Sequence, residues 1–290
     1  MSGTTAPRDS LSDYEFSFEA YLDYTTGIEV DSIYEFHKEN GRTYHAYRAG
    51  SYYYPNDLIE IERLNTQHET LKILLDGRSC LAPFDDENPP RKVLDIATGS
   101  GHWAIDLGDE FPEARIIGTD LSPIQSELVP PNVEFIIDDA TDEWPQGRDW
   151  CLMECDDDSV TENNHFKKWC DDIVDASITA DRPLPGASSI KKALKETGFV
   201  DIHEKIYKIP INSWPKNRRL KRFGELWHAN VAEGLQALSY GLLHRVKGMT
   251  KEEIEVNLID VRRALADHRM HGYQKFYVIW GRKPDDIEMP

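Results

Sequence analysis

The chain has 290 residues, 40% of them hydrophobic, which is enough for a globular core and argues against wholesale disorder. Its 52 acidic residues outnumber the 33 basic ones and give a net charge of −19, so we expect neither nucleic acid nor an anionic membrane as a partner. Four cysteines without disulfide or zinc spacing, and a polar N-terminus without an apolar leader, predict a cytoplasmic or nuclear protein that binds no metal.

The first 54 residues are predicted to form a polar tail followed by an aromatic-rich cap segment. Nine of the 13 tyrosines lie between positions 14 and 54, and we interpret this segment as a helical layer packed on the main domain. The alternative is that Tyr52, Tyr53 or Tyr54 covers a ligand pocket, since a tyrosine ring supplies apolar area and a polar tip.

An alternation of strands and helices predicts one α/β domain over residues 55–284, with a tail at 285–290. The first helix is expected to begin at Asn56 as its N-cap and to bury a face of leucine and isoleucine. The alternation of strands and helices that follows is typical of a mostly parallel sheet with helices on both faces. In chain order it comprises strand 92–97, helix 103–111, strand 115–119, a short helix at Ser122, strands 133–137 and 151–155, helices 166–174 and 188–197, strand 200–211, helices 220–245 and 250–265, and strand 275–281.

The most informative stretch is DIATGSG, from Asp95 to Gly101, where a buried strand leads through a glycine-rich turn into a helix. Gly99 and Gly101 allow the backbone to approach a ligand closely. With Ala104 they satisfy the dinucleotide pattern G-x-G-x-x-A, yet Asp95 would repel a pyrophosphate at the helix N-terminus. S-adenosylmethionine carries an ammonium and a sulfonium but no phosphate, so Asp95 favours this ligand over a dinucleotide.

Two further acidic positions follow the next two strands. Asp120 ends the second strand and is suited to hold both ribose hydroxyls, and Asp139-Ala140 follows the third, where an acid and the backbone can meet adenine. The carboxyl ends of parallel strands meet at one edge of a sheet, where ligands of open α/β folds bind. The acids and the glycine turn together therefore predict a cofactor site at this edge.

Several stretches resemble the fungal LaeA-like class I methyltransferases: GRTYHAYRAGSYYYPND with ERLNTQH, DIATGSG, IIGTDLSPIQ, VEFIIDDATDEW and the closing HGYQKFYVIWGRKP. The resemblance covers most of residues 41–284. It implies a Rossmann-like fold, S-adenosyl-L-methionine as methyl donor, and a role in fungal secondary metabolism with a small molecule or a protein as acceptor. The cofactor contacts that we predict by position are Asp95, Thr98, Gly99, Gly101, Asp120, Leu121, Asp139 and Ala140.

The sequence departs from the family pattern after the third strand, where the family has a central fourth strand and a helix before the fifth strand. Only residues 138–150 lie between the third strand and the strand at 151–155, whereas a complete βαβ unit needs about 30 residues. We therefore predict that one central strand–helix unit is absent at the join between Trp150 and Cys151. In the alternative, residues 151–155 themselves occupy the vacant place beside the first strand.

Two classes of function follow from these observations. The leading hypothesis is an S-adenosylmethionine-dependent methyltransferase, and an NAD-dependent oxidoreductase is disfavoured by Asp95. Proximity and orientation supply much of the rate of methyl transfer, so no fixed catalytic residue is predicted. The alternative, which the missing segment favours, is a methyltransferase-like regulatory protein with weak or no activity that acts through a protein partner. Possible general bases are Glu154, His165, His228 and His271.

Overall fold

The computed structural model describes residues 33–50, 52–85, 87–139, 152–181 and 187–284. The outer part of the predicted N-terminal segment, the C-terminal tail, Ala140 and the join at Trp150 and Cys151 lie outside these residues. The strands are β1 His37–Glu39, β2 Arg42–Tyr44, β3 Lys92–Ile96, β4 Arg115–Asp120, β5 Val133–Ile137, β6 Met153–Glu154, β7 Val200–Pro210 and β8 Tyr273–Arg282. The helices are α1 Leu58–Leu74, α2 His102–Glu110, α3 His165–Thr179, α4 Ala187–Glu196, α5 Arg218–Ser239 and α6 Lys251–Leu265.

Strands β3, β4 and β5 form a parallel sheet in that order, which confirms the predicted α/β class. Asp95 pairs with Gly118, and Ile116 pairs with Val133. Helix α2 covers this sheet because its apolar residues, chiefly Leu107, pack with Ile116 and Val133 in one buried cluster. The carboxyl ends of the three strands therefore share one edge of the sheet, where the predicted site residues begin.

Strand β3 is an edge strand within the described part of the chain, because only β4 pairs with it. Leu94 is 59% exposed and Ile96 is 44% exposed, so the prediction of a buried first strand is wrong. An apolar strand becomes buried only where neighbouring strands and covering layers pack against it, and no described strand lies beside the outer edge of β3. This exposed edge lies where the sequence predicts the absent central strand.

The second sheet is antiparallel and has the order β6-β8-β7. Met153 of β6 pairs with Gln274 of β8, and β7 pairs with β8 along most of its length. The alternative that residues 151–155 lie beside the first strand is therefore wrong for the described Met153 and Glu154. The physical reason is the long β7–β8 ladder, which offers β6 a paired edge within its own sheet.

A buried cluster between α3, α5, α6 and the π-helical turn Tyr240–His244 forms the main core. Phe166 of α3, Leu235 of α5 and Leu258 of α6 are completely buried in it. The sequence of α3 and α6 predicts an apolar face from residues at helical spacing, and these residues are buried; α6 also begins with the capping box that the pattern from Thr250 to Glu253 predicts. No helix among the described residues is both long and apolar enough to span a bilayer.

The described part of the N-terminal segment is a β-hairpin, β1–β2, and the predicted helical layer is wrong for these residues. Arg42 of β2 donates to both carboxylate oxygens of Asp57, at 2.5 and 2.8 Å. The same carboxylate accepts from the Glu60 amide at 3.1 Å, so Asp57 caps α1 instead of the predicted Asn56. This ion pair attaches the hairpin to the start of α1.

Helix α1 buries a mixed face, and the predicted leucine and isoleucine face is only partly correct: Leu71 packs on a buried apolar cluster, but the most buried positions include polar residues. Glu60 and Arg63 are buried, whereas Leu58 is 67% exposed. The guanidinium of Arg63 binds the Glu60 carboxylate at 2.6 Å and also donates to Gln67 and, on α5, to Asn230 at 2.9 Å. These bonds satisfy the buried polar groups, so helix α1 packs against α5 through polar side chains as well as through the apolar contact of Leu74 with the cluster of Phe223.

Candidate functional site

The turn between β3 and α2 has the backbone that its glycines predict. Gly99 and Gly101 have φ angles of 59° and 81°, in the left-handed region, and Gly101 is the N-cap of α2. The turn packs on the ring of Phe135 in β5, which would lie 2.5 Å from a β-carbon at Gly101. The same ring would lie 2.7 Å from a β-carbon at Gly118 of β4. Sequence reasoning missed Phe135, because only the fold brings β5 under the turn.

The Gly101→Ala variant is expected to lose more stability than Gly99→Ala. Each change carries about 1–2 kcal/mol for a left-handed backbone, but only the alanine at position 101 must also displace Phe135. At Gly99 the nearest atom, Leu64 Cδ1, would be at an ordinary 3.5 Å. Urea-induced unfolding of both variants measures the difference in free energy of unfolding. Equal losses would contradict the packing of Phe135 under the turn.

Asp120 ends β4 and closes the turn through its carboxylate. Its Oδ2 accepts from the Gly99 amide at 2.8 Å, and its Oδ1 accepts from the Ser122 amide at 3.0 Å. The chain after β4 bends around this carboxylate, and the short helix predicted at Ser122 is not formed. Gln125, which sequence reasoning missed, donates from Nε2 to the Gly99 carbonyl at 2.7 Å. A carboxylate has about four acceptor sites, so Asp120 keeps acceptor capacity for a ligand beside its backbone amide donors.

The carboxylates of Asp95 and Asp120 form an acidic pair at the turn. Burial raises the pKa of both carboxyls, and the charge of Asp120 raises the pKa of Asp95 further. The Thr98 hydroxyl donates to Asp95 Oδ2 at 2.5 Å and opposes part of this effect. Among the described residues, no lysine or arginine forms an ion pair with either acid. A positively charged ligand group would therefore relieve their mutual repulsion.

The carboxyl end of β5 contributes Asp139, whose side chain is almost fully buried. Arg48 Nη1 lies 2.5 Å from Asp139 Oδ2, so an arginine of the N-terminal segment covers this predicted adenine contact. The two residues are 91 positions apart, and no local pattern in the sequence indicates the pairing. Leu121 is partly buried, and its backbone amide donates to Asp120.

The four candidate general bases lie in different elements of the fold. Glu154 is ion-paired with Lys275 at 2.8 Å, and His271 Nδ1 lies 2.7 Å from an aspartate oxygen. His165 is the first residue of α3, and burial lowers the pKa of His228 on α5. None of these contacts involves the glycine turn or its acids, so we assign no catalytic base.

A cavity of about 360 Å³ lies between α1, α5 and the β7–β8 pair. Tyr52 and Tyr54 of the N-terminal segment line it, as the pocket alternative predicts for these tyrosines, whereas Tyr53 is not part of its lining. Leu64 of α1 lines the cavity and is the side chain nearest to the open side of Gly99. The cavity and the glycine turn are therefore neighbours.

The chain is similar to fungal methyltransferases over most of its length. It is 33% identical to the methyltransferase pytC of Aspergillus terreus over 87% of this chain and 90% of pytC. It is 28% identical to the secondary metabolism regulator LAE1 of Cochliobolus heterostrophus over 90% of this chain and 99% of LAE1. It is 27% identical to the protein-methionine methyltransferase laeA of Emericella nidulans over 86% of this chain and 77% of laeA. No family model matches the chain.

Proposed function

Because the chain belongs to the fungal LaeA-like methyltransferase family, we propose that it is an S-adenosylmethionine-dependent methyltransferase of secondary metabolism. The observation that carries the proposal is the acidic pair Asp95 and Asp120 at the glycine turn. The methyl acceptor is a small molecule or a protein, and a cytoplasmic or nuclear location remains a prediction from the sequence.

The residues at the turn fit this cofactor. Two neighbouring, partly buried carboxylates that form no ion pair with a described lysine or arginine complement the ammonium and sulfonium groups of S-adenosylmethionine. The same carboxylates would repel the pyrophosphate of NAD at the N-terminus of α2. The charge at the turn therefore supports the methyl donor and disfavours the dinucleotide.

Each residue of the site has a proposed role. Asp95 binds the ammonium group, and Asp120 binds the ribose hydroxyls with the acceptor capacity that its backbone amide donors leave available. Asp139 and Ala140 contact adenine. Bound S-adenosylmethionine supplies an electrophilic methyl group, and the protein contributes by orienting donor and acceptor. The remaining proposed contacts are Thr98, Gly99, Gly101 and Leu121.

Isothermal titration calorimetry of the full chain tests the cofactor directly. We expect S-adenosylmethionine and S-adenosylhomocysteine to bind with one-to-one stoichiometry and NAD to give no binding heat. The reason is that the acidic pair attracts the cationic methionine end and repels a pyrophosphate. Tight binding of NAD with no binding of either methionine derivative would overturn the proposal.

A second candidate function is that of a methyltransferase-like regulator that acts through a protein partner. The exposed edge of β3 favours it, because Leu94 and Ile96 lie beside Asp95 and apolar strand edges pair readily with strands of other chains. Formation of S-adenosylhomocysteine from bound donor in a fungal extract separates the two functions. Donor binding without any product favours the regulator, and product formation favours the enzyme.

A further inference from the structure

We propose that the cavity between α1, α5 and the β7–β8 pair binds the methyl acceptor, and that this acceptor is a neutral small molecule with a flat apolar ring system. The inference rests on the proposed function, because it requires a methyl donor at the glycine turn. It narrows the acceptor from a small molecule or a protein to one chemical class.

The size and enclosure of the cavity favour a small molecule. Its volume of about 360 Å³ falls within the range of about 300–1,000 Å³ that is usual for small-molecule sites. Four helices, α1, α3, α4 and α5, contribute to its wall together with β7, β8 and the N-terminal segment. A protein acceptor would have to pass a chain segment between these packed elements.

The wall of the cavity favours flat rings. Six of its 19 lining residues are aromatic, and they come from the N-terminal segment, α3, α5 and β8. The rings of Tyr52 and Tyr54 meet edge to face with their centroids 5.0 Å apart, and Trp227 and Phe276 line the cavity from α5 and β8. Aromatic walls bury a ring system through offset and edge-to-face contacts, which supports an aromatic ligand.

Each charged residue of the cavity wall already has an ionic partner. Glu60 and Arg63 form a buried ion pair at 2.6 Å, and Lys275 is paired with Glu154 at 2.8 Å. Arg63 uses its remaining bonds on Gln67 and on α5. A charged ligand would therefore lose its hydration without gaining a counter-ion, whereas a neutral ligand avoids this cost.

Two residues connect the cavity to the proposed donor site. Leu64 lines the cavity and lies against Gly99 of the glycine turn. Tyr52 also lines the cavity, and 47% of this residue is exposed. Burial and the charges of Asp120 and Glu60 together raise the pKa of Tyr52. The negative charges of the donor site and of the cavity wall therefore both act on Tyr52.

The arrangement suits transfer between the two neighbouring sites. A heteroatom of the acceptor forms a bond to the methyl carbon while the bond between this carbon and the sulfonium sulfur breaks, and the electron pair stays on sulfur. The products are the methylated acceptor, S-adenosylhomocysteine and a proton, which passes to water. Orientation by the aromatic wall is what the protein contributes to this step.

N-phenyl-1-naphthylamine, a neutral aromatic dye whose fluorescence rises in apolar surroundings, is a suitable probe of the cavity. We expect saturable binding at one site on the full chain. The Ile190→Trp variant fills the cavity from α4 and should weaken dye binding at least tenfold. The matched control is Ile259→Trp on the exposed side of α6, which should bind the dye as the unmodified chain does. If Ile190→Trp does not fold by circular dichroism, Leu238→Trp fills the cavity from α5 with the same expectation.

Calorimetry with S-adenosylhomocysteine on the same variants separates the two proposals. We expect the affinity for S-adenosylhomocysteine to be unchanged by Ile190→Trp, because Ile190 lines the cavity from α4, whereas the side chain nearest to a β-carbon at Gly99 is Leu64. Donor binding without saturable dye binding, or dye binding unaffected by Ile190→Trp, overturns the cavity proposal and leaves the proposed function standing. Dye binding without any binding of donor or product overturns the proposed function and, with it, the acceptor role of the cavity.

The class of acceptor has its own test. In a fungal extract supplied with S-adenosylmethionine labelled on the methyl group, label should enter compounds soluble in ethyl acetate and fall at least tenfold with Ile190→Trp. Label confined to precipitated protein would overturn the assignment of a small-molecule acceptor. Absence of label from both fractions, with donor bound, would overturn methyl transfer and favour the regulator.

Discussion

Asp95→Asn is expected to make the free protein more stable at neutral pH and to weaken S-adenosylmethionine binding by about tenfold or more. A charge-assisted bond to the ligand ammonium contributes about 1.5–3 kcal/mol, and asparagine removes it. The same substitution relieves a partly buried charge beside Asp120 and keeps an acceptor for the Thr98 hydroxyl. Thermal unfolding and calorimetry measure the two effects on one sample.

The stabilisation by Asp95→Asn should depend on pH in a defined direction. Burial raises the pKa of Asp95 in the folded state above the unfolded value of about 3.9, so the folded protein holds the proton more tightly. The stabilisation that the proton on Asp95 gives to the folded state is complete below the unfolded pKa and is lost as the pH rises through the folded pKa. The stability difference between Asp95→Asn and the unmodified chain should therefore be small in acid and grow across this window.

The matched control is Asp109→Asn, which removes the same charge from an exposed position on α2. It should alter neither donor affinity nor the pH dependence of stability. Asp120 is less suitable for this test, because its two oxygens accept from the amides of Gly99 and Ser122. An asparagine at position 120 would turn an N–H group toward one of these donors. Loss of stability in Asp95→Asn at neutral pH, with donor affinity intact, would contradict the assigned role of Asp95.

The parts of the fold that the sequence predicts well are those fixed by local pattern. The apolar face of α6 and its capping box depend on residues within one helix, and the glycine turn depends on the backbone freedom of Gly99 and Gly101. The acids at the ends of β3 and β4 follow from the same logic, because parallel strands deliver their carboxyl ends to one edge. In each of these cases, the local sequence pattern is sufficient to predict the structure.

The parts that the sequence does not predict depend on distant partners. The burial of Arg63 on α1 depends on its bond to Asn230, which is 167 positions away in the sequence. Asp139 is covered by Arg48 from the N-terminal hairpin region. The apolar composition of β3 indicates burial, but burial depends on a neighbouring strand, and none of the described strands occupies that place. A single sequence carries no signal for contacts of this kind.

The second large effect is a difference in unfolding free energy between alanine substitutions in β3 and in β4. Ile116→Ala is expected to cost about 2–5 kcal/mol of unfolding free energy, because Ile116 is completely buried against α2. Leu94→Ala, on the neighbouring strand, should cost about 1 kcal/mol or less, because Leu94 is 59% exposed. Equilibrium unfolding in urea measures both values, provided that the two variants show the same dependence on denaturant.

The contrast between these two variants tests the two-sheet architecture itself. A central strand of a parallel sheet is buried on both faces, so a strand beside β3 would make Leu94→Ala as costly as Ile116→Ala. Equal costs in the 290-residue chain would therefore show that another segment covers β3 in solution. In a longer form that carries a strand–helix unit between Trp150 and Cys151, we expect the cost of Leu94→Ala to rise toward that of Ile116→Ala. Because β3 ends beside Asp95, the same added strand would enclose the acidic pair, and donor affinity should rise together with the cost at Leu94.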